Sequence, residues 1–234
     1  MLLRLAESRQ AAPGAMSFVF EVGKWVDFRP GQYADVRLDA PGDDRGGLRS
    51  FSISSSPTEK GHLLFTTKIS QSAFKQKLAS MKPGDTADVT WPWGTFTLQE
   101  DYSRPAVFLV GGIGITPLRS MMRYATDRKL PLKMVLLYSN RVPEEIVYYQ
   151  ELEALQKRNP NLKVVHTITR PEESKAKWSG RTGRIDEALV NEYRMPNAIY
   201  YTCGPPAMVQ AMKALAESLG IPEGDLKSEE FTGY

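Results

Sequence analysis

The chain has 234 residues, 41% of them hydrophobic and 24% charged, which suits one large or two small globular domains and argues against disorder. Its 30 basic residues face 27 acidic ones, a net charge of +3, too even a balance to suggest nucleic acid as a partner. One cysteine and two histidines rule out a disulfide framework and a four-thiolate iron–sulfur cluster within the chain, and they leave no zinc or haem spacing. No metal site is expected, so any redox chemistry needs an organic cofactor. Residues 1–15 carry Arg4, Glu7 and Arg9 with no sustained apolar core. No signal peptide or membrane span is read, and a cytoplasmic protein is expected.

Short alternating segments fill the first part of the chain. Phe18, Phe20 and Val22 share one strand face, Ala34, Val36 and Leu38 another, and Leu63 and Phe65 a third. Turn signals separate them at Arg29-Pro30-Gly31, Pro41-Gly42-Asp43-Asp44 and Lys82-Pro83-Gly84-Asp85. This spacing predicts an antiparallel barrel or sandwich, interrupted by one helix with Phe74, Leu78 and Met81 on a common face. After Tyr102-Ser103-Arg104-Pro105 the texture changes. Strands are expected near 106–110, 133–138, 163–168 and 198–203, and helices near 117–127, 144–158, 186–193 and 206–219. The last helix would show Met208, Ala211, Met212, Leu215 and Leu219 on one face. Such alternation predicts a parallel sheet covered by helices, hence a second domain. The division is a β-barrel domain at 1–102 and an α/β nucleotide-binding domain at 105–234.

Four segments carry chemistry. In Arg49-Ser50-Phe51-Ser52-Ile53-Ser54-Ser55-Ser56-Pro57, an arginine able to grip a phosphate precedes, by two residues, an aromatic able to stack on a flat ring. The plainer reading is a surface strand with a serine-rich end. In Phe65-Thr66-Thr67-Lys68 and Gln71-Ser72-Ala73-Phe74-Lys75, a strand ends in a cation and a loop enters a helix whose first N–H groups are free to hold phosphate. An ordinary Ser72 cap is compatible with that. The apolar run Val107–Val110 breaks into Gly111-Gly112-Ile113-Gly114-Ile115-Thr116-Pro117, and Leu118, Met121, Met122 and Ala125 then mark one helix face. A strand, a glycine turn and a helix N-terminus aim backbone N–H groups at one point. The third glycine of the common dinucleotide fingerprint is missing, so a mere tight turn is the competing reading. Last, Tyr201-Thr202-Cys203-Gly204-Pro205-Pro206-Ala207-Met208 delivers a cysteine to the sheet's C-terminal edge. Cys203 has no base nearby in sequence, which argues against a covalent nucleophile, and a buried apolar role is the plainer one.

Taken together in this order, the four segments resemble the ferredoxin–NADP reductase-like flavoprotein family over nearly the whole chain. The resemblance implies a flavin site at Arg49, Ser50, Phe51 and Ser52, with Phe51 in place of the more usual tyrosine, and an FAD diphosphate held by Thr66, Thr67, Lys68, Ser72, Phe74 and Lys75. It implies a nicotinamide site bordered by Gly111, Gly112, Gly114, Thr116 and Pro117 and by Cys203, Gly204, Pro205 and Met208. Hydride would pass from nicotinamide to flavin, with Ser52, Cys203 and Phe231 in catalytic roles. In Ser228-Glu229-Glu230-Phe231-Thr232-Gly233-Tyr234, either Phe231 or Tyr234 would cover the flavin face and gate nicotinamide entry. FAD and NADPH or NADH are the implied cofactors. Ser139, Arg141 and Arg170 follow the second and third strands, where arginine and hydroxyl groups suit a 2′-phosphate; solvated loop charges are the alternative. Electrons would go to a separate redox partner such as a ferredoxin-like protein, or to a small acceptor. The rival reading is a flavin-binding electron-transfer or regulatory subunit of a larger complex that makes no nicotinamide turnover.

Overall fold

The structure, a computed structural model, describes residues 1–231. The chain divides into two compact units, one formed by residues 1–98 with 116–124, the other by 99–115 with 125 onward.

The first unit is built on six antiparallel strands: β1 (Leu2–Ala12), β2 (Ala15–Glu21), β3 (Tyr33–Arg37), β4 (Leu48–Ser52), β5 (His62–Lys68) and β6 (Thr86–Trp93). Their order in the sheet is β4-β3-β6-β1-β2-β5. Just past β4 the Ser54 N–H donates to Leu64 O in β5 at 2.8 Å, so the two edge strands meet and the sheet closes as a barrel. The inward faces are those the alternation predicts. Phe18, Phe20, Ala34, Val36, Leu63 and Phe65 are all at most 1% exposed. Helix α1 (Ala73–Ser80) plugs one side with Phe74 and Leu78 and is followed by buried Met81.

The second unit holds a parallel sheet of β7 (Ala106–Gly111), β8 (Met134–Asn140), β9 (Leu162–Ile168), β10 (Arg181–Thr182), β11 (Ile199–Gly204) and β12 (Leu226–Glu230). The order is β10-β9-β8-β7-β11-β12. The chain walks outward from β7 to β10, then returns to place β11 on β7's other side. That reversal, at the C-terminal ends of β7 and β11, is where open α/β sheets bind ligands. Helix α2 (Ile115–Asp127) follows β7 but gives residues 116–124 to the first unit, and α3 (Tyr149–Arg158), α4 (Glu187–Glu192) and α5 (Pro206–Ser218) belong to the second. No helix among the described residues is long and apolar enough to cross a membrane.

Three elements depart from the sequence expectation. The helix expected over 144–158 starts only at Tyr149. Pro143–Glu145 forms a separate 3-10 turn, Ile146 is extended and Val147 lies in a turn, both buried, and Tyr148 takes a positive φ of 64°. In α5 the buried stripe is Val209, Met212, Ala216 and Leu219, and Ala211 faces solvent. A small residue satisfies a helical spacing on either side of the stripe, so alanine positions are poor markers of a face. The polar tail Leu226–Glu230 is a strand, held by parallel pairing to β11 from Tyr200↔Leu226 to Gly204↔Glu230.

Candidate functional site

In the first unit β4 turns Arg49 and Phe51 inward and Ser50 outward. Ser50 Oγ donates to Asp35 at 2.5 Å on the exposed side and does not join the others. The Arg49 guanidinium, 7% exposed, forks onto Asp43, Nη1 to Oδ2 at 2.8 Å and Nη2 to Oδ1 at 2.7 Å. Nη2 also reaches Asp44 at 3.0 Å and Nη1 the Leu48 carbonyl at 2.8 Å. The Asp43 carboxylate has no exposed surface. It accepts the first-turn N–H of Phe74 at 3.3 Å, and the N–H groups of Gly47 and Arg45 in its own loop at 3.0 and 3.1 Å. Arg49 holds its carboxyl down at about 2.

Lys75 stands next along the helix and is 7% exposed. Its ammonium donates to Thr67 Oγ1 and lies 4.6 Å from the Phe51 ring centroid. Burial first, then the charge of Arg49, pushes it down to about 8. Ser72 caps the helix, its Oγ accepting the Lys75 N–H at 3.3 Å. The Phe51 ring packs against Phe65 and Phe74 at centroid distances of 6.1 and 5.9 Å. Ser52 is buried at the end of β4. Thr66 takes the opposite side of β5, its Oγ1 2.6 Å from Ser17 Oγ, and Lys68 is exposed at the strand end. Arg49, Phe51, Thr67, Phe74 and Lys75 therefore converge, while Ser50, Thr66 and Lys68 do not. A guanidinium and a helix N–H on one carboxylate, with a buried ammonium beside them, form an anion cradle.

The serine-rich segment after β4 is held by residues of α2. Arg119 donates to Ser54 O at 2.8 Å and to both Glu59 oxygens at 2.7 and 3.1 Å, and Ser120 Oγ donates to Ser55 O at 2.7 Å. Glu59 Oε2 accepts the Ser56 N–H at 2.7 Å. Burial pushes the Glu59 carboxyl up, but Arg119 outweighs it and holds the group below its ordinary value.

In the second unit the glycine turn is held by its neighbours. Gly112 has a positive φ of 52° with open space where a side chain would start. A Cβ on Gly114 would stand 2.2 Å from Cys203 O, so nothing larger fits between the ends of β7 and β11. Cys203 Sγ donates to Gly114 O at 3.0 Å, and the fully buried Tyr138 hydroxyl donates to Gly112 O at 2.8 Å. Gly111 pairs in register with Ser139 and is approached by the Met208 side chain. Thr116 and Pro117 sit in the first turn of α2, both buried. Gly204 and Pro205 lead into α5.

Arg141 and Arg170 lie in the loops after β8 and β9, each just over half exposed. Their guanidinium groups share one carboxylate, Glu173, at 3.4 and 2.9 Å, and Arg141 also meets Glu145 at 3.4 Å. Register along β11 and β12 sets Cys203 opposite Glu229. Burial, then Glu229, raises the Cys203 thiol well above its ordinary value, so it is a neutral donor. Burial lifts Glu229 to about 7. The Phe231 N–H donates to Gly204 O at 2.8 Å, which extends the strand pairing to the aromatic. Tyr234, the other expected aromatic, lies outside the described residues.

Three participants are not read from the sequence. Asp43 stands there only as part of a turn signal, the Arg119–Glu59 pair is not singled out, and Glu229 appears only within the C-terminal segment.

A closed antiparallel barrel with an anion cradle and a parallel sheet with a glycine turn at its switch point define a two-domain oxidoreductase that binds a flavin and a nicotinamide coenzyme. Residues 3–98 match the Oxidoreductase FAD-binding domain and residues 108–214 the Oxidoreductase NAD-binding domain. Ferredoxin–NADP reductase B of Sorangium cellulosum is 30% identical over 97% of this chain and 96% of its own length. Reductase component 2 of terephthalate 1,2-dioxygenase from a Comamonas species is 28% identical over 90% of this chain, which spans 61% of that relative. The flavohem-like FAD/NAD-binding domain of Vibrio cholerae nitric oxide dioxygenase shares the fold, with a TM-score of 0.86, 20% identity and 98% coverage of both chains. The chain belongs to the ferredoxin–NADP reductase-like family of FAD- and NAD(P)-binding oxidoreductases.

Proposed function

We propose that the chain is an NADPH-dependent flavin reductase that passes electrons to a separate acceptor, a ferredoxin-like protein before a small molecule. The observation that carries this reading is the cradle in which Arg49 and the Phe74 N–H converge on one anion, with buried Lys75 beside it. Those residues fit a diphosphate. They present two cations and a helix N-terminus, and Lys75 has only a neutral hydroxyl as its hydrogen-bond partner. FAD, when bound, supplies the redox chemistry, accepting a hydride and releasing electrons singly.

The chain's own residues bind and orient. Arg49, Phe74 N–H and Lys75 hold the diphosphate, and Phe51 and Ser52 adjoin the flavin ring. Arg119 and Glu59 fix the backbone of Ser54 and Ser56 beyond them. Gly111–Pro117 and Cys203–Met208 would border the nicotinamide coenzyme, with Cys203 a neutral thiol whose S–H donates to Gly114 O. Phe231 is the aromatic proposed to gate the flavin. For the coenzyme, Arg141 and Arg170 both grip Glu173, and a 2′-phosphate offers those guanidinium groups a stronger anion than a carboxylate. The ferredoxin-like acceptor is supported by the relative named ferredoxin–NADP reductase, of which the chain spans 96%.

Anaerobic stopped-flow mixing of the purified yellow protein with NADPH and with NADH tests the reading. Flavin absorbance at about 450 nm should bleach faster with NADPH. A flavin that neither coenzyme reduces would overturn it in favour of a flavin-binding subunit without nicotinamide turnover.

A further inference from the structure

The loop between β3 and β4 brings an acidic side chain into the centre of the cradle. Of the five hydrogen bonds on the Asp43 carboxylate, three come from outside its loop, two from Arg49 and one from the Phe74 N–H. Those are the donors any incoming phosphate would use. The other two, from Arg45 and Gly47, tie the carboxylate to residues of the loop itself. Pro41, Gly42, Asp44, Arg45 and Gly46 are all exposed, so the loop is able to withdraw without uncovering core.

We propose that Asp43 is a built-in competitor of the cofactor's diphosphate, closing the Arg49–Phe74 cradle when no flavin is bound and setting how tightly and how fast flavin loads. The inference rests on the reading of this unit as the FAD-binding one. Charge argues for exchange rather than coexistence. A buried carboxylate and a diphosphate sharing one guanidinium would set like charges together in a poorly solvated place. Withdrawing Asp43 removes one negative charge and admits a doubly charged group, which then pairs with both Arg49 and Lys75. The loop can keep its Arg45 and Gly47 bonds to the carboxylate as it leaves, but withdrawal also parts Asp44 from Arg49 and strains the Gly47 carbonyl bond to the Leu38 N–H, costs the diphosphate must offset.

The test uses the full chain stripped of flavin. Asp43→Asn keeps the shape and an oxygen for the loop N–H groups but removes the charge. FAD titration followed by fluorescence quenching should give a dissociation constant about 10-fold lower for D43N than for wild type, with faster loading. Calorimetry with inorganic pyrophosphate should show the same ranking. Equal or weaker FAD binding by D43N would overturn the proposal, because Asp43 would then serve to orient Arg49 for the cofactor. Should D43N fold poorly, hydrogen exchange on wild type decides the matter. Amides of residues 41–47 should exchange faster with FAD bound than without, the reverse of ordinary ligand protection, and slower exchange would overturn the inference. A wild-type chain that binds neither FAD nor pyrophosphate would instead sink the flavin reading itself.

Discussion

The two units prepare for phosphate by opposite means. The barrel uses side chains: a buried guanidinium, a buried ammonium and a helix N–H, with a carboxylate already among them. The parallel sheet uses backbone: a glycine turn fixed by a neutral thiol and a neutral phenol, with no charged side chain on the turn. Buried charges make a strong cradle that is costly to leave without a counter-charge, so the barrel supplies one. A backbone cradle carries no such cost and stays open to a coenzyme that must leave on every turnover. The difference fits a resident cofactor in one unit and a transient one in the other.

Breaking each cradle should therefore give a different signature. Arg49→Ala removes the fork, and FAD affinity should fall on the order of 100-fold, the worth of one or two charge-assisted hydrogen bonds, read by flavin retention on dialysis. Gly114→Ala drives a methyl into Cys203 O and should destabilise the second unit by about 2 kcal/mol, seen in a melt, while flavin affinity holds. Flavin loss in that variant would show the two cradles are not separable. Replacing Arg141 and Arg170 together by Ala should raise KM for NADPH about 10-fold and leave NADH unchanged, which sharpens the contrast by locating the charge the turn itself lacks. A further effect concerns pH. Glu229 has its carboxyl raised from an ordinary 4.5 to about 7. The folded state therefore binds more protons than the unfolded one between those values, and stability falls as pH rises through that window. Compared with Glu229→Gln, wild type should lose about 5–10 °C of melting temperature between pH 5 and pH 8. Parallel curves would remove Glu229 as the titrating group.

Much of this architecture was legible because one-sided burial leaves a period in the sequence. Phe18, Phe20 and Val22, and Leu118, Met121, Met122 and Ala125, lie buried on the faces their spacing predicts. The strand-to-glycine-to-helix order predicts the turn at residues 111–117, and the strand order sets that turn at the sheet's switch point. What stayed hidden depends on contacts across loops. Nothing local tells that Asp43 turns inward to Arg49 while its neighbour Asp44 remains 75% exposed. Lys227, Ser228 and Glu229 carry no apolar alternation, so β12 exists because an edge of β11 was free to be paired. The start of α3 is not legible because Ile146 and Val147 fit a helical period yet are buried from an extended residue and a turn.

The hold of Arg119 on Glu59 and Ser54 also has a consequence for how the protein is made. The last barrel strand ends at Trp93, yet the donor that neutralises Glu59 and fixes the Ser54 carbonyl emerges from the ribosome only after β7 and the glycine turn. A nascent chain cut at residue 102 would carry every strand of the barrel and still lack its final clasp. The barrel should mature late, once the 116–124 segment that completes its own unit has been made, and a gene fragment ending at residue 102 should yield a looser product than its complete set of strands suggests.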